Sequence, residues 1–264
     1  MIVLADIAIT FNRGTPLKMQ ALRGVNLAIP KGQFVTMIGS NGAGKSTLLN
    51  IVSGELVPDT GRVLLDDADV TTLSIHARAP MIARMFQEPR SGICEQMSIL
   101  ENIAIASGRT SPRGFGFAIT ESLRKRAVER LAILNLGLEK RLDDRVALLS
   151  GGQRQALSLI MATFGSAKIL LLDEHTAALD PGAADLVMRL TDAVVRQFEI
   201  TTVMVTHSMR QALDFGGRIV MLHQGEAILD ISGAERASVT LDYLLDHFRR
   251  KEGTELADDQ LLLG

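Results

Sequence analysis

The chain has 264 residues, of which 47% are hydrophobic and 22% charged, enough for one large domain or two closely coupled ones with a proper core. Its 28 basic and 30 acidic residues leave a formal charge of -2, which excludes disorder and lacks the broad basic excess of a nucleic-acid-binding surface. The single cysteine, Cys94, has no internal disulfide partner and points to a reducing compartment. The start, Met1-Ile2-Val3-Leu4-Ala5-Asp6, has no basic stretch before an apolar core, so no export signal is expected. Residues 2 to 11 and 20 to 29 alternate in polarity as half-buried strands do, and Pro30-Lys31-Gly32 turns the chain into a strand at Phe34 to Ile38. A glycine-rich loop and a helix from about Lys45 to Ser53 follow. Further strands are expected at Arg62 to Leu65, Ile82 to Phe86, Ile169 to Leu172, Thr202 to Val205 and Arg218 to Leu222, the later ones alternating with helices. Continuous apolar strands alternating with helices indicate a parallel sheet covered on both faces. From about Ser98 to Phe164 the strand pattern vanishes, and Leu123, Ala127, Leu131 and Leu134 fall on one helical face, which predicts a helical insert. Residues 107 to 119 form a polar linker containing Phe115 and Phe117. The tail from Lys251 is polar, and no apolar run approaches the roughly 20 residues that cross a bilayer.

Three motifs carry chemistry. Gly39-Ser40-Asn41-Gly42-Ala43-Gly44-Lys45-Ser46-Thr47 fits G-x-x-x-x-G-K-[ST] between an expected strand and an expected helix, the context of a phosphate-binding loop. Its glycines let consecutive N-H groups converge on one anion, and the helix N-terminus adds partial positive charge. Lys45 is expected to reach the β- and γ-phosphates of ATP, and the Ser46 hydroxyl to hold Mg²⁺. Ile169 to Glu174 reads as a buried strand ending in two carboxylates, with Asp173 placed to orient Mg²⁺ and Glu174 to act as general base on the attacking water. Leu149-Ser150-Gly151-Gly152-Gln153 opens a helix that runs to about Phe164 with Ser150 as its N-cap, and the two glycines permit close approach to a phosphate.

That last stretch resembles the LSGGQ signature of ATP-binding cassette proteins, specifically the nucleotide-binding subunits of transporters. The resemblance covers residues 1 to about 235 and implies an α/β P-loop ABC ATPase fold. That fold has a mostly parallel core sheet, an N-terminal antiparallel β-subdomain and an inserted helical signature subdomain, here about 98 to 164. Residues 236 to 264 would be a short helical extension and mobile tail. The resemblance also implies that Phe11 stacks on adenine and that Gln87 reaches Mg²⁺ and the attacking water. His207, after the strand Thr202 to Val205, would be the switch histidine at the γ-phosphate. Asp180 would lie across a dimer interface, although it equally suits the cap of a helix begun by Pro181. Ser150, Gly151, Gly152 and Gln153 would face ATP held by a second copy, so the resemblance implies a homodimer in the ATP-bound state. His175 stands where this family commonly has proline, and His76, His223 and His247 show no metal spacing.

What the resemblance implies for function is an ATP-hydrolysing motor on the cytoplasmic face of the plasma membrane. It would work with separate transmembrane permease subunits and an extracytoplasmic substrate-binding protein, in import. The alternative is a soluble or non-import cassette of lipoprotein release, export or assembly. Residues 10 to 16 and 173 to 180 resemble a bacterial subfamily paired with permeases of the branched-chain amino acid type and tryptophan/tyrosine-type binding proteins. Met85, Ile93, Met97 and Ile99 suggest that residues 88 to 100 form an adaptable groove for the permease.

Overall fold

The computed structural model describes residues 1–85, 92–108 and 117–252. In chain order the elements are β1 (Ile2–Phe11), β2 (Met19–Ile29), β3 (Phe34–Ile38), α1 (Lys45–Ser53), β4 (Thr60–Leu65), β5 (Ala68–Asp69), α2 (Ile75–Arg78) and β6 (Ile82–Met85). They continue with α3 (Ile99–Ser107), α4 (Glu121–Ala132), α5 (Gly151–Thr163), β7 (Ile169–Asp173), α6 (Pro181–Gln197) and β8 (Thr201–Val205). The last are α7 (Met209–Asp214), β9 (Arg218–His223), β10 (Glu226–Ser232), α8 (Gly233–Ala237) and α9 (Leu241–Glu252). They form two compact units, one of residues 1–78 with 199–264 and one of residues 79–198.

The first unit opens with an antiparallel sheet in the order β2-β1-β4-β5. Along β1 the buried side chains are Ile2 and Leu4, then Ile7 and Ile9, a change of parity that simple alternation does not anticipate. The cause is a bulge: Asp6 takes φ 53 and the register with β2 shifts between Leu4 and Ile7. Glycine stands opposite because a Cβ at Gly61 would come within 2.4 Å of the Asp6 carbonyl oxygen. The same unit holds β3 in parallel register between β8 and β9, with all five residues of β3 buried. Strand β10, absent from the sequence expectations, folds back antiparallel on β9 through Gln224 and Gly225. Both turn residues have positive φ, as the tightest hairpins require. Ile38, Met209, Ile219, Met221, Leu229 and Ile231 bury together with Leu244 and Phe248 of α9. The C-terminal helix therefore seals the core directly behind the strand that leads into the glycine-rich loop.

The second unit pairs β6 and β7 in parallel, has an isolated antiparallel bridge between Ser98 and Arg145, and its other regular elements among the described residues are helices. Leu123, Ala127, Leu131 and Leu134 are all buried, as their spacing requires. Ser98 and Glu101 form a capping box at α3, and Thr120 caps α4. Of the four residues proposed for a groove, Met85 and Ile99 are buried and pack in the core, while Ile93 is half-buried and Met97 is 40% exposed. Residues 88 to 91 lie outside the described residues. No described helix is long and apolar enough to cross a membrane.

Candidate nucleotide site

The glycine-rich loop joins β3 to α1, and three of its glycines have φ values closed to ordinary side chains: Gly39 at 148, Gly42 at 77 and Gly44 at 101. Space is equally restrictive at the first and last, where a Cβ would meet the Leu222 carbonyl oxygen at 2.1 Å and the Ala21 carbonyl oxygen at 2.6 Å. Gly42, in contrast, has open space beside it. Ala43 is buried, its carbonyl accepting from the Gly225 N-H, while Asn41, Gly42 and Ser46 are exposed and Thr47 is half-buried. Lys45 is 6% exposed and turns back over the loop, its Nζ donating to the carbonyls of Gly39 at 2.7 Å and Ser40 at 2.9 Å. An ammonium is thus held against the concave loop.

Helix α1 has no side-chain cap and no acidic residue in its first turn. By contrast α3, α4, α5, α6 and α7 all have side-chain caps, from Ser98, Thr120, Ser150, Asp180 and Ser208. A helix start with no carboxylate in its first turn and no side-chain cap at Gly44, preceded by a loop of left-handed glycines, suits an external anion. In the same unit, the backbone N-H of Thr206 donates to the Met37 carbonyl, tying the end of β8 to β3. Thr206 Oγ1 donates to Gln211 Oε1 at 2.7 Å, and the Ser208 N-H donates back to Thr206 Oγ1. These bonds fix the turn that carries half-buried His207. Phe11 ends β1 opposite Met19, half-buried and outside the core.

In the second unit, β7 delivers Asp173 and Glu174 after four buried residues. Glu174 takes φ 46, a left-handed conformation uncommon for a residue with a side chain, and it redirects the backbone at that point. Arg84 of β6 donates to Asp173 Oδ2 at 3.0 Å, and both side chains are largely buried. Next in the chain, His175 is fully buried; its Nε2 lies 3.3 Å from Thr191 Oγ1, and its carbonyl accepts from Gln155 Nε2 of α5. Burial pushes this imidazole from its ordinary 6.5 down to about 4, so it is neutral at physiological pH.

The Ser150 hydroxyl accepts from the Gln153 N-H at 3.2 Å, while Gln153 Oε1 accepts from the Ser150 N-H at 3.1 Å, a capping box. The hydroxyl hydrogen remains available for donation. Gly151 and Gly152 pack against Leu179 and Ala183, where a Cβ would sit 3.5 and 3.3 Å from their side chains. Asp180 caps α6 by accepting from the Ala183 N-H at 3.0 Å, with Pro181 as the first helical residue. Gln87 lies outside the described residues. The sequence reading missed Arg84 and the buried state of His175. The available signal for Arg84 was one charge in an otherwise apolar strand.

A profile of the family described as ABC transporter matches residues 22–177. The chain is 44% identical over 227 residues to a tyrosine transport ATP-binding protein of Clostridioides difficile (strain R20291), spanning 85% of this chain and 89% of that one. It is 36% identical over 213 residues to an aliphatic sulfonates import ATP-binding protein of Rhizobium johnstonii, spanning 80% and 71%. Among solved structures, it resembles the dimeric post-hydrolysis state of an ATP-binding cassette bound to ADP and Pi. There the TM-score is 0.72 at 30% identity, covering 88% of this chain and 98% of that one.

Proposed function

The chain belongs to the ABC transporter family as an ATP-hydrolysing transport ATPase, and from that premise we propose that it powers amino acid import through a separate membrane permease. The observation that supports ATP at the glycine-rich loop is the uncapped, carboxylate-free start of α1 with Lys45 folded over it. Phe11 offers its ring face to adenine, and the N-H groups of residues 39 to 47 receive the phosphates. Ser46 and Asp173 supply a hydroxyl and a carboxylate, the hard oxygen donors that suit Mg²⁺, and would hold it. When bound, Mg²⁺ neutralises charge on the phosphate oxygens and so favours attack at the γ-phosphate. Lys45 binds the β- and γ-phosphates, Glu174 takes the proton of the attacking water, and His207 and Gln87 orient the γ-phosphate and that water.

Two copies close head to tail on ATP, with Ser150, Gly151, Gly152 and Gln153 of one facing the nucleotide of the other and Asp180 lying across their interface. The dimer sits on the cytoplasmic face of the membrane beneath the permease, and an extracytoplasmic binding protein supplies the cargo. An amino acid cargo is supported by the relative named for tyrosine transport. The test is Glu174→Gln, which keeps the shape of the side chain and removes its basic oxygen. ATP affinity should stay close to that of the parent while phosphate release falls by about a hundredfold or more. A variant that hydrolyses ATP at the parent rate removes Glu174 from the base role.

A further inference from the structure

Strand β6 is apolar except at Arg84, whose side chain is only 11% exposed. In the parallel register Arg84 stands beside Leu171, two residues before Asp173. Two residues of strand span about 6.6 Å, roughly the reach of an extended arginine, which is how the guanidinium arrives 3.0 Å from Asp173 Oδ2. Such a pair is a poor device for stability alone, because desolvating both charges offsets much of their attraction and apolar residues of similar size do as well. The carboxylate it engages is the one that ends β7 and, on the reading above, holds Mg²⁺.

We propose that Arg84 is a built-in stand-in cation: it neutralises Asp173 when no divalent ion is bound and gives way when Mg²⁺ binds, so residue 84 sets how much Mg²⁺ the site requires. The inference rests on the assignment of Mg²⁺ to Asp173. Without a cation, an ionised and largely buried Asp173 carries a desolvation penalty, and Arg84 supplies the compensating charge from the neighbouring strand. A divalent ion at the same carboxylate repels the guanidinium, and its net affinity is lowered by the contact it must displace.

The experiment is a Mn²⁺ titration in the presence of ADP, read by the electron paramagnetic resonance of free Mn²⁺, on the parent, Arg84→Gln, Arg84→Lys and Asp173→Asn. Arg84→Gln should bind Mn²⁺ roughly three- to tenfold more tightly than the parent, because the contact that the ion must displace is gone. Arg84→Lys, which retains the charge, should stay close to the parent, and Asp173→Asn should bind more weakly. Unchanged or weaker binding by Arg84→Gln, with Asp173→Asn weakened, overturns the stand-in role alone. An unaffected Asp173→Asn overturns the metal assignment and the proposal with it. A measurement on the parent guards against a variant that does not fold: the side-chain Nε-H resonance of Arg84, assigned by selective labelling, should shift and sharpen when Mg²⁺ is added to the ADP-bound protein. No response there also overturns the proposal.

Discussion

His175 shows how one residue ties chemistry to stability. Its ring is closed off from water beside Thr191, its carbonyl is held by Gln155 of α5, and it directly follows Glu174. A substitution here should therefore be felt at the residue assigned as base. Because burial lowers the imidazole pKa from 6.5 to about 4, the unfolded chain binds the proton more readily than the folded one. Its favourable contribution is complete above pH 6.5 and is lost as the pH falls toward 4, by at most about 3 kcal/mol. Urea unfolding without nucleotide or Mg²⁺ should show a steeper loss of stability between those pH values for the parent than for His175→Gln. Parallel curves would contradict a buried neutral histidine. At this scale the sequence was most legible where a motif prescribes local backbone geometry, as it does for Gly39, Gly44, Lys45 and the Ser150 cap. It was least legible for Arg84 and His175, whose partners are set by strand register and helix packing rather than by neighbours in the chain.

Among the elements, α1 depends on a contact at the end remote from its glycine-rich loop. Arg78 is fully buried, and its guanidinium donates to the carbonyls of Ile51 at 2.7 Å, Val52 at 2.8 Å, Thr71 at 3.0 Å and Leu73 at 3.1 Å. Two of these belong to the last turn of α1, where the helix dipole is negative and carbonyls lack intrahelical partners. Gly54 ends the helix in a left-handed conformation, and a Cβ there would press to 2.9 Å from Arg78 Nε. Arg78→Leu shortens the side chain and removes the guanidinium from four carbonyls, the buried Val52 and Ile51 among them, although the Gly54 N-H still reaches Ile51 at 3.3 Å. It should cost about 3 kcal/mol or more, seen as a lower denaturation midpoint at unchanged slope. A loss below about 1 kcal/mol would mean that water replaces the guanidinium. Boundaries of strongly apolar strands were readable to within a residue or two, as at β3, β7 and β8. Strand β10 was not, because its seven residues alternate weakly and only the turn at Gln224-Gly225 announces it.

For the whole molecule, the shared-site arrangement has a direct test. Lys45→Ala removes the phosphate clamp, and Gly151→Asp sets a carboxylate beside the triphosphate; each alone should abolish hydrolysis. If one copy's loop meets the other's signature helix, a mixed dimer regenerates one intact site and recovers part of the parent rate. Mixed dimers that form but stay inactive, alongside an active dimer of parent and double variant, would overturn sharing. The helical insert and the parallel strands were legible because periodicity reports burial, and the family signature supplied the rest of the fold class. The insert was expected at about 98 to 164, and the compact unit that interrupts the first one runs from 79 to 198, taking in β6, β7 and α6 as well. That interruption bears on synthesis. Phe34 of β3 pairs with Thr202 and Val35 with Arg218, so the strand leading into the glycine-rich loop leaves the ribosome long before either neighbour exists. At about 5 to 20 residues per second its wait is on the order of ten seconds or more. During that interval the second unit, one continuous stretch of chain, can complete itself, while four apolar residues and Thr36 wait with both strand edges open to pairing elsewhere.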